Sequence, residues 1–245
     1  MKTFIWIAPR ICWVALLVVL VIWTSTTTGR SAGGEPKLQK LLNLHYFFMT
    51  VAWPVCMLEA ILSYRAPLIT LPNRTVHKYV HVALQTCAGV FILLGMVYVG
   101  KYKKLSKDVF FYSLHSWTGI IAIAMFFLQY IAGVCVYLTS KWSPAQKKSY
   151  YTVHRFLGAA TLISSLMSAC IGWGAEQIYL MALNGPGMQH FVTSEAHCLS
   201  YMLIPAMGIL LFVLGVLFAL SFVVYEEQAI PLTAAVPSEV KPAEI

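Results

Sequence analysis

Six stretches of the sequence are each long and apolar enough to cross a bilayer, and this constrains the fold more than any other feature. A membrane helix needs about 20 mostly apolar residues to span a hydrocarbon core of roughly 30 Å. Residues 4–24, 44–64, 76–99, 110–138, 151–174 and 196–225 each meet that requirement. The expected architecture is an all-α integral membrane protein, with one six-helix domain over residues 1–225. Residues 226–245 hold three prolines and no apolar periodicity, and are expected to be a disordered tail. An even number of spans puts both termini on one side, called side A; the opposite face is side B. The first stretch also admits a signal-peptide reading, because Lys2 precedes an apolar core over 11–23, although Thr and Ser follow it rather than a small-x-small cleavage site.

The charge pattern agrees with a membrane protein. Of 245 residues, 59% are apolar and 11% charged, against about 45–50% and about 25% in soluble domains, which excludes an ordinary soluble enzyme. The formal charge of +8 comes from short clusters between apolar runs, so these residues are expected to anchor the protein at the membrane surface, not to bind nucleic acid. Nine basic residues fall on side A (Lys2, Arg10, Arg65, Arg74, Lys78, Lys141, Lys147, Lys148, Arg155) and seven on side B (Arg30, Lys37, Lys40, Lys101, Lys103, Lys104, Lys107). That margin does not orient the chain by itself. Asn73-Arg74-Thr75 is a glycosylation sequon that matters only if side A is luminal or external. Six cysteines are spread one to an apolar run with no metal-binding spacing, and are read as buried thiols without chemistry.

Histidine is costly inside a bilayer, so its placement there points to function. His45, His81, His115 and His154 each fall within about two turns of the start of spans two, three, four and five. Consecutive spans run antiparallel, so His45 and His115 lie near side B, and His81 and His154 near side A. Two histidines facing across a helix bundle can hold one haem iron, so two pairs imply two haems stacked across the membrane, their irons about 20 Å apart. Gly119 and Gly158 follow a candidate ligand by four residues, and Gly133 and Gly172 by eighteen. Those spacings keep one helix face and give a porphyrin room; close helix packing is the competing use of such glycines. His77 lies one turn before His81, and spacing leaves the choice between them open.

The words around these histidines resemble the cytochrome b561 family over residues 43–173. Ser113-Leu114-His115-Ser116-Trp117 matches one family signature, and Glu59-Ala60-Ile61-Leu62-Ser63-Tyr64-Arg65 resembles a second, which ends in Tyr-Arg. Lys78-Tyr79-Val80-His81 followed by Gln85 is similar to the family's Lys-x-x-His ligand motif and favours His81 over His77. Leu128-Gln129-Tyr130 and Val153-His154 with Gly158 also fit. The resemblance implies two non-covalent b haems in a central four-helix bundle of spans two to five (about 43–175), often in a homodimer. It implies His81 and His154 as ligands on a cytoplasmic side A, and His45 and His115 on the far side. It further implies cytosolic ascorbate as donor and monodehydroascorbate or a ferric chelate as acceptor. The sequence departs from the family where proline often follows the first ligand, since His45 is followed by Tyr46. It departs again over 100–108, which holds four lysines and no histidine.

Ascorbate is an anion at neutral pH, so its site should be a basic mouth on side A. Arg65, Arg74, Lys78, Lys147, Lys148 and Arg155 are the candidates; Lys78 and Arg65 lie in the family motifs, and interfacial anchoring is the alternative for each. Glu59, inside the membrane from Arg65, is either protonated, paired with a base, or a proton carrier. On side B, Tyr112 with Lys101, Lys103, Lys104 and Lys107 forms a basic rim for an anionic acceptor, and His190, Glu195 and His197 are candidate iron contacts or an ordinary solvated loop. Trp53, Trp117, Trp142 and Trp173 are read as packing or interface residues. Two other function classes fit the same residues: a non-redox proton or metal-ion transporter, and a di-haem anchor passing electrons to quinone or a partner subunit. The membrane could be the plasma membrane or an endomembrane such as vacuole, lysosome or secretory vesicle.

Overall fold

The computed structural model describes residues 2–27, 36–69, 73–139, 141–183 and 195–224, and all regular structure among them is helical. The helices are α1 (Lys2–Thr27), α2 (Pro36–Thr50), α3 (Leu58–Arg65), α4 (Arg74–Ser106), α5 (Leu114–Leu138), α6 (Pro144–Leu183) and α7 (Glu195–Val224). A π-helical segment, Val51–Met57, joins α2 to α3 so that the three form one span. Among the described residues, six helices are thus long and apolar enough to cross a membrane, as the hydropathy pattern predicts. Arg30, His190 and the 226–245 tail lie outside the described residues.

The π-helical segment has a local cause. Pro54 has no N–H, and its ring would press on the carbonyl four residues back in an α-helix. Widening the turn relieves that contact while the buried neighbours Trp53, Cys56 and Met57 keep the span packed. Polar caps set three other helix starts. Asn73 accepts from Val76 N at 3.0 Å and begins α4, which gives the Asn-x-Thr sequence a structural role. Ser113 accepts from Ser116 N at 3.2 Å and begins α5. Ser143 and Gln146 exchange side-chain bonds with each other's backbone N–H, a capping box ahead of α6.

Several boundaries differ from the sequence expectation: the second span starts at Pro36 rather than 44, and the fifth runs Pro144–Leu183 rather than 151–174. The third span does not stop at 99: α4 stays helical to Ser106 and ends where Lys107 turns left-handed at φ 58°. Lys101, Lys103 and Lys104 therefore ride on a helix rather than a loop, since lysine is a good helix former and nothing earlier breaks the chain. The fourth span starts at Leu114, not 110, because the Ser113 cap fixes it. Helix α6, forty residues or about 60 Å long, exceeds the hydrocarbon core at both ends.

The span α2–α3 packs on α4, and α5 packs on α6, giving the central four-helix bundle. Helix α7 lies against α6 and α1 lies against α7, flanking that bundle. Helix α1 is tied in by polar bonds as well as packing. Trp6 Nε1 donates to Pro67 O at 2.8 Å, and Arg10 forms a 2.8 Å ion pair with Glu59 while donating to Ala66 O and Trp6 O. Trp13 Nε1 donates to the other Glu59 oxygen at 3.2 Å. Glu59 is therefore base-paired, one of the three states the sequence allows.

Candidate functional site

The four candidate histidines meet in two pairs, one near each membrane face. His45 of α2 and His115 of α5 have ring centroids 6.4 Å apart; His81 of α4 and His154 of α6 are 6.3 Å apart. An imidazole nitrogen sits about 2 Å from a bound first-row metal, with its ring centre roughly 1.2 Å further on, so two imidazoles on opposite sides of one ion have centroids about 6.4 Å apart. Both pairs have that spacing. Their levels can be counted along the helices. Fourteen residues separate His81 from Gly95, whose carbonyl meets His45, and eighteen separate His115 from Gly133, whose Cα faces His154. At 1.5 Å per residue the levels are about 21 to 27 Å apart.

The outer nitrogens are tied down in a way that suits metal ligation. His45 Nδ1 lies 3.0 Å from Gly95 O, His81 Nδ1 2.7 Å from Ala60 O and His115 Nδ1 2.8 Å from Ser168 O. A ring that donates Nδ1–H to a carbonyl leaves Nε2 unprotonated and aimed away, ready to bind a metal. His154 uses a side chain instead. Gln129 Nε2 lies 2.8 Å from its Nδ1 and donates to its carbonyl at 2.5 Å, while Gln129 Oε1 is buried without a partner. His77 faces elsewhere: its Nδ1 meets Ser63 O at 2.6 Å and its ring stacks on Tyr64.

The glycines mark where the histidine rings need space. A Cβ on Gly172 would lie 2.7 Å from His115 Nδ1, and one on Gly133 would lie 3.0 Å from a His154 ring carbon. Both stand at the level their eighteen-residue spacing predicts, and what they accommodate is the imidazole on the neighbouring helix. Gly119 and Gly158 adjoin Ser168 and Gln129, the residues that hold those two imidazoles. Between the two levels the bundle is filled by Trp53, Ala88, Phe126 and Leu162, all buried.

On side A the basic candidates separate. Arg65 stacks its guanidinium 3.8 Å over Phe222 and donates to Ser221 O at 3.3 Å. Arg155 lies 6.0 Å from the same ring, beside a cavity of about 350 Å³ lined by Thr152, Arg155, Phe156, Ala159 and Phe222. Arg74 lies within electrostatic reach of Tyr137, whose ring is 5.4 Å from His154. Lys78 lies 5.9 Å from the Tyr79 ring and Lys148 is exposed. Lys147 is already engaged, donating to Thr139 O at 3.2 Å at the end of α5. Tyr64, 5.4 Å from His81, and Tyr150, 5.9 Å from His154, line the pair.

On side B, Lys103 lies 4.5 Å from the Tyr112 ring and 3.8 Å from Asp108. The side chains of Glu195 and His197, like His190, are outside what is described. Sequence reasoning missed the Gln129–His154 contact and a hydrogen bond from Tyr46 to Glu176. The first could have been suspected from Gln129 lying four residues before Gly133; the second has no signal in spacing.

Fold and site together define a class: a six-helix membrane protein whose central four helices present two facing histidine pairs, one toward each face. The chain belongs to the eukaryotic cytochrome b561 family, whose model matches residues 44–180 and so includes all four paired histidines. Membership implies haem b as the cofactor. Among its relatives are the transmembrane ascorbate ferrireductase 2 of Arabidopsis thaliana, 26% identical over 86% of this chain and 87% of that protein, and the lysosomal membrane ascorbate-dependent ferrireductase CYB561A3 of Homo sapiens, 31% identical over 74% of this chain and 75% of that one. The transmembrane ascorbate-dependent reductase CYB561 of Bos taurus is 31% identical over 63% of this chain and 61% of its own length.

Proposed function

We propose that this protein is an oxidoreductase that moves single electrons from ascorbate on a cytosolic side A to monodehydroascorbate or a ferric chelate on side B, using two b haems. The observation that carries this reading is the pair of histidine pairs, with ring centroids 6.4 and 6.3 Å apart. In this reading His81 and His154 hold the haem near side A, and His45 and His115 the haem near side B. When bound, haem iron supplies a one-electron couple at each level.

The chain's own residues account for the rest. Gly95, Ala60 and Ser168 carbonyls orient three ligands, and Gln129 orients the fourth. Arg155 and Arg65 converge on Phe222 beside the side A cavity, where their fixed positive charge draws the ascorbate monoanion and favours loss of its remaining proton. Lys78 and Arg74 extend the positive field toward His81 and Tyr137, while exposed Lys148 adds attraction at longer range. On side B, Lys103 and Tyr112 form part of a rim suited to an anionic acceptor. Trp53, Phe126 and Leu162 pack as an apolar layer in the middle of the bundle, a setting that favours electron transfer over the passage of ions.

The test uses the full chain in sealed vesicles, with ascorbate trapped on side A and a ferric chelate outside. Ferrous iron should form outside only when haem-loaded protein and trapped ascorbate are both present. Equal ferrous production without trapped ascorbate, or no oxidation of trapped ascorbate by fully loaded protein with either acceptor outside, contradicts the proposal.

A further inference from the structure

Beside the side B pair lies a carboxyl group that the electron-transfer reading does not use. Glu176 stands on α6 four residues beyond Gly172, the glycine that faces His115, and is 7% exposed. Tyr46, next to His45 in sequence, donates its hydroxyl to Glu176 Oε2 at 2.8 Å. Glu176 Oε1 is buried with no hydrogen-bond partner. The Tyr46 ring packs 4.8 Å from Trp173, and Trp23 of α1 closes the other side at 5.6 Å.

Among the described residues, the groups around Glu176 include no counter-ion. Helix α2 contributes Tyr46, helix α4 contributes Tyr102, and α6 itself contributes Tyr179. Helix α7 has no charged residue among its described side chains, its titratable one being Tyr201. Tyr102 lies within electrostatic reach of Asp108, which is exposed on side B and 3.8 Å from Lys103. Among the described residues, no basic side chain lies within ion-pair distance of Glu176. An ionised carboxylate held in a protein interior by one neutral donor is poorly compensated, so a single added negative charge nearby can tip it to its neutral form.

We propose that Glu176 is a redox-linked proton site: it takes up one proton from side B water when the centre held by His45 and His115 gains an electron, and releases it when that electron leaves. This rests on the proposed function. The chemistry balances for the radical acceptor, because monodehydroascorbate takes one electron and one proton, forms an O–H bond and becomes the ascorbate monoanion. With a ferric chelate the iron takes the electron alone, and the proton returns to side B water. In this proposal Tyr102 and exposed Asp108 are the groups that lead from Glu176 to that water. Tyr46 keeps its hydroxyl proton throughout and acts as a positioning residue for the carboxyl.

The test is a redox titration of the haem-loaded full chain, followed by absorbance from about pH 5.5 to 8.5, for wild type, Glu176→Gln and Tyr46→Phe. In wild type the side B centre should fall in potential as pH rises, with a slope approaching one proton per electron, while the side A centre does not share that dependence. Glu176→Gln should flatten the side B slope. Tyr46→Phe removes a donor that favours the ionised carboxylate, so it should keep the slope and move its onset to higher pH. It also gives an independent reading if the glutamine variant folds poorly. A pH-independent side B centre in wild type, or an unchanged slope in Glu176→Gln, overturns the proposal while leaving the electron-transfer reading intact. Absence of bis-histidine haem absorbance in wild type overturns both.

Discussion

Gly172 lets the backbone of α6 lie against the imidazole of His115, and a methyl group there would come within 2.7 Å of Nδ1. The atom it meets is itself bonded to Ser168 O, so relief by rotation would break that bond. Gly172→Ala should therefore lose about half of the bound haem, whereas Gly119→Ala, whose Cβ would lie 3.4 Å from Ser168 Oγ, should keep nearly all of it. Haem content per purified chain distinguishes the two. His77 provides a second residue-scale check. It shares a helix face with His81, but its ring is turned to Ser63 O and Tyr64, so His77→Ala should retain both haems while His81→Ala loses one. The four paired histidines were legible in the sequence because a histidine near the start of each of four apolar spans has few ordinary uses. Their partners were not legible, since three are backbone carbonyls, which leave no trace in residue type.

The helices show what polar residues do at the ends and edges of apolar spans. Ser113, Asn73 and Ser143 each cap a start, and the Ser113 cap places His115 in the first turn of α5. At the opposite extreme, Arg10 and Glu59 are buried, with side chains 9% and 10% exposed, and tie α1 to α3 near side A. Removing one partner of such a pair leaves an uncompensated buried charge and costs about 3–5 kcal/mol, while replacing both by apolar residues costs far less. Arg10→Ala should lower the melting temperature more than the Arg10→Met/Glu59→Leu double variant, which differential scanning fluorimetry in detergent can measure. The sequence showed Glu59 as a charged residue out of place but not its partner, because 49 residues separate it from Arg10 and no local periodicity links two different spans. Helix ends were legible only within several residues: lysines at 101, 103 and 104 look like loop by polarity yet continue α4 to Ser106.

Across the whole molecule, six spans, their antiparallel order and the depth of four histidines fix which residues share a face, and the architecture follows from hydropathy alone. The substrate surfaces do not, because charge on a side says nothing of where each cation sits. Lys147 is held to Thr139 O at the end of α5, and Arg155 borders the side A cavity. Arg155→Ala should raise the ascorbate KM about tenfold, the loss expected for one charge-assisted hydrogen bond, with Lys147→Gln changing it less than twofold; stopped-flow reduction by ascorbate measures both. The most direct test of the account is haem stoichiometry with ligand variants. The account predicts two b haems per wild-type chain, one in His115→Ala, one in His154→Ala, and none in the double variant. A single haem in wild type, or a double variant that still binds two, would contradict it.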